Sequence, residues 1–131
     1  MAADIIQSNP KTMAAPGGHY SHAVSANGFV FVSEQLPISP DGAKLYDAPF
    51  ERQAQQVLDN VAAALTAAGS AVSRLVQVRV YVTDIQSWPA FNTIYAAWAG
   101  DTRPAHAVVP VPSLHYGFKI EIEAFALAGL A

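Results

Sequence analysis

The chain has 131 residues, of which 52% are hydrophobic and 13% are charged, and its formal net charge is -3. This length is typical of one domain, so we interpret residues 1–131 as a single domain. A domain of this size cannot hide so large an apolar fraction inside itself, which favours an interface with other subunits. The absence of cysteine excludes disulfides, thiolate nucleophiles and cysteine-based metal sites.

The charge and hydropathy patterns argue against two further classes of partner. The seven Lys and Arg residues are scattered without a basic run, which disfavours binding to nucleic acid. No apolar stretch reaches the roughly 18–20 residues that span a bilayer, and the first residues lack the pattern of a secretory signal. We therefore expect a cytoplasmic protein without a membrane partner.

The amino-terminal half is predicted to hold a hairpin and a long helix. Residues up to about 18 are interpreted as a loop, and two strands follow over residues 20–26 and 29–36. Asn27-Gly28 between them is typical of a two-residue hairpin turn, because both residues tolerate positive φ. After a turn-rich loop, an apolar stripe at helical spacing predicts a helix over residues 48–68, and Gly69 is the expected stop.

The second half continues with strands and one more helix. Strict alternation predicts a strand over residues 75–83, in which the valines from Val76 to Val82 share one face. A helix over residues 88–99 follows, with Ser87 as its N-cap. Two more strands are predicted over residues 105–109 and 118–127. This order predicts an α+β fold: a mixed sheet with two helices on one face, the other face being covered by neighbouring subunits.

Seven short segments carry a resemblance to a known family. They are GHYS at 18–21, VSEQLP at 32–37, QA and LDNV within 53–61, VRVYVTD at 78–84, FNTIY at 91–95, RPA at 103–105 and KIEIEA at 119–124. This ordered set resembles the Rid family, also called YjgF/YER057c/UK114 and endoribonuclease L-PSP-like, along nearly the whole chain. The resemblance implies a chorismate-mutase-like α+β fold. It also implies a homotrimer with a barrel-like centre and a cleft for a small ligand at each subunit interface.

The resemblance also implies an activity. Well-studied members hydrolyse reactive enamines and imines, such as 2-aminoacrylate, to the 2-oxo acid and ammonia, and they need no metal or organic cofactor. Glu121 is the candidate catalytic residue, because a partly buried carboxyl could position water and shuttle a proton to the departing nitrogen. Tyr20, Ser33 and Asn92 match substrate-binding positions. Each also fits a structural role, and Glu121 with Glu123 could simply form the solvated face of the last strand.

Two positions depart from the pattern of the family. His106 stands where members that act on 2-imino acids have an arginine that clamps the substrate carboxylate, and a histidine cannot make the same bidentate contact. Arg103 is expected on the opposite strand face from His106, so it is not assigned that role. Glu34 replaces a usual glycine and would repel an anionic substrate if it points inward. With His106 as an atypical substrate-binding residue, we expect a substrate other than a simple 2-imino acid.

Two other functions stay open. A non-catalytic trimeric module that binds a small metabolite would use the same pocket. Ribonuclease activity, which is attributed to some relatives, is disfavoured by the acidic balance of the chain. The remaining histidines, His19, His22 and His115, do not predict a metal site, because zinc needs three or four converging ligands.

Overall fold

The computed structural model describes residues 4–129. The strands are β1 (Ile6–Ser8), β2 (Ala23–Ala26), β3 (Phe29–Gln35), β4 (Leu75–Val82), β5 (Ala105–Pro110) and β6 (Ile120–Leu127), and the helices are α1 (Phe50–Ala67) and α2 (Trp88–Ala99). Short 3-10 turns lie at Val72–Arg74, Ile85–Ser87 and His115–Gly117. The predicted order of strands and helices is therefore confirmed, with β1 added in front.

The strands form one six-stranded sheet in the order β1-β2-β3-β6-β4-β5. All neighbours are antiparallel except β4 and β5, which are parallel and are connected through α2. A parallel pair needs such a crossover because its strands run in the same direction. The carboxyl-terminal strand β6 lies between β3 and β4, so the last segment of the chain occupies the middle of the sheet. The expected mixed sheet is confirmed.

Both helices pack on one face of the sheet, and the core lies between the helices and that face. Leu58 and Leu65 of α1, Phe91 of α2, and Ile120 and Ile122 of β6 are fully buried there. Burying each such side chain stabilises the fold by about 1.5–3 kcal/mol relative to exposure. Within residues 4–129, no helix combines the length and apolar character that crossing a bilayer requires.

The opposite face of the sheet, which we call the open face, carries large apolar side chains. Phe29 and Phe31 of β3 are 44% and 42% exposed, and Leu127 of β6 is 39% exposed. Phe31 packs edge-on against Phe125 of β6, with ring centroids 5.5 Å apart. A contiguous exposed apolar surface of this kind is typical of a protein interface.

Two turn predictions are confirmed by the backbone. Asn27 and Gly28 both have positive φ, at 52° and 83°, as the turn between β2 and β3 requires. Gly69 follows α1 with φ of 75°, a conformation in which glycine carries no Cβ penalty.

Two local predictions were wrong, and a third was confirmed only in position, since Ser87 is the N-cap residue of α2 but lacks the capping bond. The first strand of the predicted hairpin begins at Ala23, so residues 20–22 lie before it. The segment that was interpreted as a loop contains β1, which pairs with β2; its three residues are too few to show a periodic pattern. Val76 is 43% exposed, because a register shift between Leu75 and Gln77 turns it away from the face that the later valines occupy. Ser87 makes no capping hydrogen bond. Instead, the Asp84 carboxylate accepts from the Gln86 N–H at 2.9 Å and starts the 3-10 turn that runs into α2.

Candidate functional site

A pocket of about 540 Å³ opens at one end of the sheet. Three of its lining residues come from neighbouring strands: Ser33 and Glu34 from β3 and Glu121 from β6. Tyr20 lines it from the loop before β2, and the segment from Ala14 to Gly18 contributes its rim. The fold therefore brings together three of the predicted site residues, Tyr20, Ser33 and Glu121. The volume lies within the range of roughly 300–1,000 Å³ that is usual for ligand pockets.

A bulge in β3 explains why two consecutive residues face this pocket. Val32 pairs with Ala124 and Gln35 pairs with Ile122, so Ser33 and Glu34 together oppose the single residue Glu123. The extra residue interrupts the alternation of the strand, and Gln35 returns to the buried face. Glu34, the residue that departs from the family pattern, therefore points into the pocket.

Glu121 is the pocket carboxyl best suited to proton transfer. It is half-buried, and it makes no side-chain hydrogen bond within residues 4–129. Burial raises its pKa above the ordinary value, the negative charge of Glu34 raises it further, and nearby His115 lowers it by a smaller amount. A carboxyl with a raised pKa and no protein hydrogen bond is protonated more readily than an ordinary glutamate, which suits it to exchange a proton with a ligand.

Glu123, two residues further along β6, has a different environment. The Tyr81 hydroxyl donates to its carboxylate at 2.6 Å, and the Arg79 guanidinium lies 3.6 Å away. The hydrogen bond to Glu123 is the main reason why the pKa of the Tyr81 hydroxyl is raised to about 12. Glu121 and Glu123 share one face of β6 but differ in their surroundings, because Glu123 is held by its neighbours and Glu121 lines the pocket.

The hydroxyls of Ser33 and Tyr20 each make one hydrogen bond within the protein. Ser33 donates its hydroxyl hydrogen to the Ser21 carbonyl at 2.6 Å, which leaves its oxygen lone pairs free to accept from a ligand. The Tyr20 hydroxyl accepts weakly from the Gly17 N–H at 3.4 Å, and the Tyr20 side chain is 44% exposed. Tyr20 can therefore still donate to a bound molecule.

A buried polar network, which the sequence did not reveal, supports the bulge. His22 is buried, and its Nε2–H donates to the Ala14 carbonyl at 2.7 Å. Its Nδ1 therefore accepts from the Gln35 amide at 3.2 Å, and the same amide donates to the Ser33 carbonyl at 3.1 Å. These bonds hold the β3 backbone in the position that turns Glu34 and Ser33 towards the pocket.

His106 and Asn92 lie away from this pocket. His106 pairs with Val78 in the parallel β4–β5 ladder, so it faces the helices, whereas Glu121 faces the open side. Its ring stacks on Tyr95, with centroids 6.1 Å apart and planes 3° apart, and also contacts Trp88. Asn92 is exposed on α2. One chain therefore does not bring His106 or Asn92 together with Glu121.

The predicted direction of Arg103 has no basis in the structure. Arg103 is exposed and precedes β5, so the strand-alternation argument does not apply to it.

The loop residues Lys44, His115 and Tyr116 also line the pocket. No motif marked them, because residues 44 and 115–116 meet only through the tertiary fold. Within residues 4–129, no three His, Asp or Glu side chains are grouped so that they could hold a metal ion.

Comparisons with known proteins agree with this fold. Residues 11–128 match the family model described as Endoribonuclease L-PSP. A RutC family protein of Pyrococcus horikoshii is 37% identical over 111 residues, which cover 85% of this chain and 88% of that protein. The HMF1 protein of Saccharomyces cerevisiae is 36% identical over 112 residues, 86% of each chain.

A solved structure of TdcF from E. coli, with bound serine, has a TM-score of 0.88 and 28% identity. The likeness covers 95% of this chain and 99% of that one. Sequence and fold thus agree along almost the whole length of each protein. The chain belongs to the Rid (YjgF) family.

Proposed function

We propose that this protein hydrolyses a reactive enamine or imine metabolite to a carbonyl compound and ammonia. The observation that carries the proposal is Glu121, a half-buried pocket carboxyl that has a raised pKa and no protein hydrogen bond. Ser33 and Tyr20 beside it supply an acceptor and a donor that can orient a small polar ligand. The serine bound to TdcF supports a pocket for small amino compounds in this family.

The reaction can run on one carboxyl that exchanges a single proton. Glu121 gives its proton to the imine nitrogen while water attacks the carbon of the C=N bond, and the water proton passes to the Glu121 carboxylate. In the resulting carbinolamine, Glu121 again protonates the nitrogen. The C–N bond then breaks with its electron pair on nitrogen, ammonia leaves, and the hydroxyl proton returns to Glu121 as the carbonyl forms. The carboxyl ends in its starting state.

We further propose that the working unit is a homotrimer with its ligand sites between subunits. Two observations support it: the open face carries exposed phenylalanines, and the predicted site residues are split between distant parts of one chain. A second copy that covers the open face could place its own His106 and Asn92 beside the Glu121 pocket. The mass in solution, measured by light scattering, is expected to be three times that of the chain. A monomer at micromolar concentration would contradict this arrangement.

The catalytic test uses imines generated in situ, because they decay within the assay. 2-Aminoacrylate, several 2-imino acids and a cyclic imine without a carboxylate are each followed to the carbonyl product. We expect the wild type to accelerate at least one of them and Glu121→Gln to abolish the acceleration. Glu51→Gln, which removes an exposed acid in the first turn of α1, is the matched control and should retain activity.

Other outcomes point to other functions. No acceleration of any imine, combined with ligand-dependent thermal stabilisation, would favour a non-catalytic metabolite-binding module. Cleavage of RNA by purified protein, abolished in Glu121→Gln, would favour the ribonuclease that the family description names. The chain argues against RNA, because its formal net charge is -3 and its seven Lys and Arg residues form no basic run.

A further inference from the structure

The pocket has a second wall, built from loops. Lys44 lies on the loop after β3, and His115 and Tyr116 form the 3-10 turn before β6. The Lys44 ammonium sits 5.0 Å from the centre of the Tyr116 ring, which is a cation–π contact. We call these three residues the loop wall.

The backbone beneath the loop wall is anchored to the core. Lys44 forms a β-bridge with Ile38, and the buried Asn60 amide donates to the Ile38 carbonyl at 2.9 Å. Tyr116 has a φ of 57°, a conformation uncommon for a bulky residue, and its ring packs edge-on against the buried Phe118. The backbone that carries the loop wall is therefore held by the fold, which places its side chains beside the pocket.

The two walls of the pocket differ in charge. The strand wall carries the carboxyl groups of Glu34 and Glu121, and the loop wall carries the ammonium of Lys44 and the imidazole of His115. Within residues 4–129, Arg79 and Glu123 form the only ion pair with an N–O distance below 4.0 Å, so Lys44 has no carboxylate partner there. An ammonium that lines a pocket, contacts an aromatic ring and has no carboxylate partner is suited to bind an anion.

We propose that the loop wall determines specificity by binding an anionic group of the ligand with Lys44 and His115. The ligand class is an imine or enamine whose anionic group is remote from the C=N carbon, which then lies at Glu121. The catalytic part of this statement rests on the proposed function, and the anion site does not. The pocket volume of about 540 Å³ also suits a longer molecule than a three-carbon imino acid.

A ligand with a distant anionic group also fits the two positions that depart from the family pattern, Glu34 and His106. A 2-imino acid carries its carboxylate next to the C=N carbon, where Glu34 would repel it. A ligand with a distant anion keeps that charge away from Glu34 and places it against the loop wall. His106 is then not needed as an anion clamp.

The test compares two ketones that have the same five-carbon chain, lack a carboxylate next to the carbonyl, and differ in a distal carboxylate. Their binding to the wild type is measured by titration calorimetry with 4-oxopentanoate and pentan-2-one. We expect 4-oxopentanoate to bind about tenfold more tightly, because a charge-assisted contact is added. Lys44→Met and His115→Gln should each reduce this preference several-fold. Lys11→Met, which removes an exposed lysine that does not line the pocket, should keep it.

The outcomes separate this inference from the catalytic proposal. Equal affinities in the wild type, no binding of 4-oxopentanoate at millimolar concentrations, or a preference that survives both loop-wall substitutions would overturn the anion site. Selective binding without hydrolysis of any imine would leave the anion site supported and would contradict only the deaminase. Circular dichroism of each variant checks that a lost preference does not come from unfolding.

Discussion

Gln53 is the buried side chain that connects helix α1 to the strand carrying Glu121. It is fully buried, its amide oxygen accepts from the Lys119 N–H at 3.0 Å, and its amide nitrogen donates to the carbonyls of Ala48 and Tyr46 at 3.0 and 3.3 Å. Lys119 immediately precedes β6. We predict that Gln53→Met, which keeps the length of the side chain and removes these three bonds, destabilises the fold strongly.

The size of the effect follows from the groups left without partners. A buried N–H or carbonyl that loses its partner costs about 1–3 kcal/mol, and the Ala48 carbonyl keeps a weak contact with the Lys119 ammonium. The three hydrogen bonds are only partly buried, so each lost partner costs about 1 kcal/mol, and the sum is about 2–3 kcal/mol. An unfolding entropy of about 2.1 cal/mol/K per residue over 131 residues converts this into a fall in Tm of roughly 7–11 °C.

The matched control lies two residues away on the same helix. Gln55 is exposed and donates only to Asp59 at 2.9 Å, one turn later, so Gln55→Met should lower the Tm by no more than about 2 °C. Calorimetric scans of both variants at one protein concentration measure the difference. Equal Tm values for the two variants would refute the reasoning.

Three further predictions concern the pocket and the open face. Glu121→Gln removes a carboxyl whose pKa is raised by folding, so it should raise the Tm at pH 7–8, and the gain should vanish below about pH 4; a gain that is independent of pH would contradict this. His106→Arg should raise kcat/KM for 2-imino acids by about tenfold or more, and unchanged kinetics would show that position 106 does not reach the pocket. Phe31→Lys places a charge on the open face and should lower the mass measured by light scattering, whereas an unchanged assembly would exclude that face as the interface.

The helices and strands could be predicted well because their signals are local. Trp88–Ala99 was predicted with the bounds that the structure has, and the Asn27-Gly28 turn follows from the conformations those two residues tolerate. The mixed sheet with both helices on one face follows from the order of the segments. The departures, at β1, at Val76 and in the missing capping bond of Ser87, lie where a short strand, a bulge or a neighbouring side chain replaces the local pattern.

For the site, the sequence by itself determined which chemical groups are present, and the tertiary structure decided which of them meet. The motifs and the family resemblance singled out Tyr20, Ser33 and Glu121, and these three do share one pocket. The environment of Glu121 depends on β6 lying beside β3, a pairing of segments about ninety residues apart along the chain. The bulge that turns Glu34 inward depends on the same pairing, because an extra residue exists only relative to a partner strand.

The loop wall and the separation of His106 from Glu121 are likewise tertiary facts. Lys44 meets Tyr116 only because the loop after β3 is fastened to α1 through Asn60. His106 faces the helices because β5 joins the sheet in parallel register with Val78. Side-chain periodicity within one segment indicates which residues share a face. Only the pairing between segments determines whether that face lies at the pocket or against the helices.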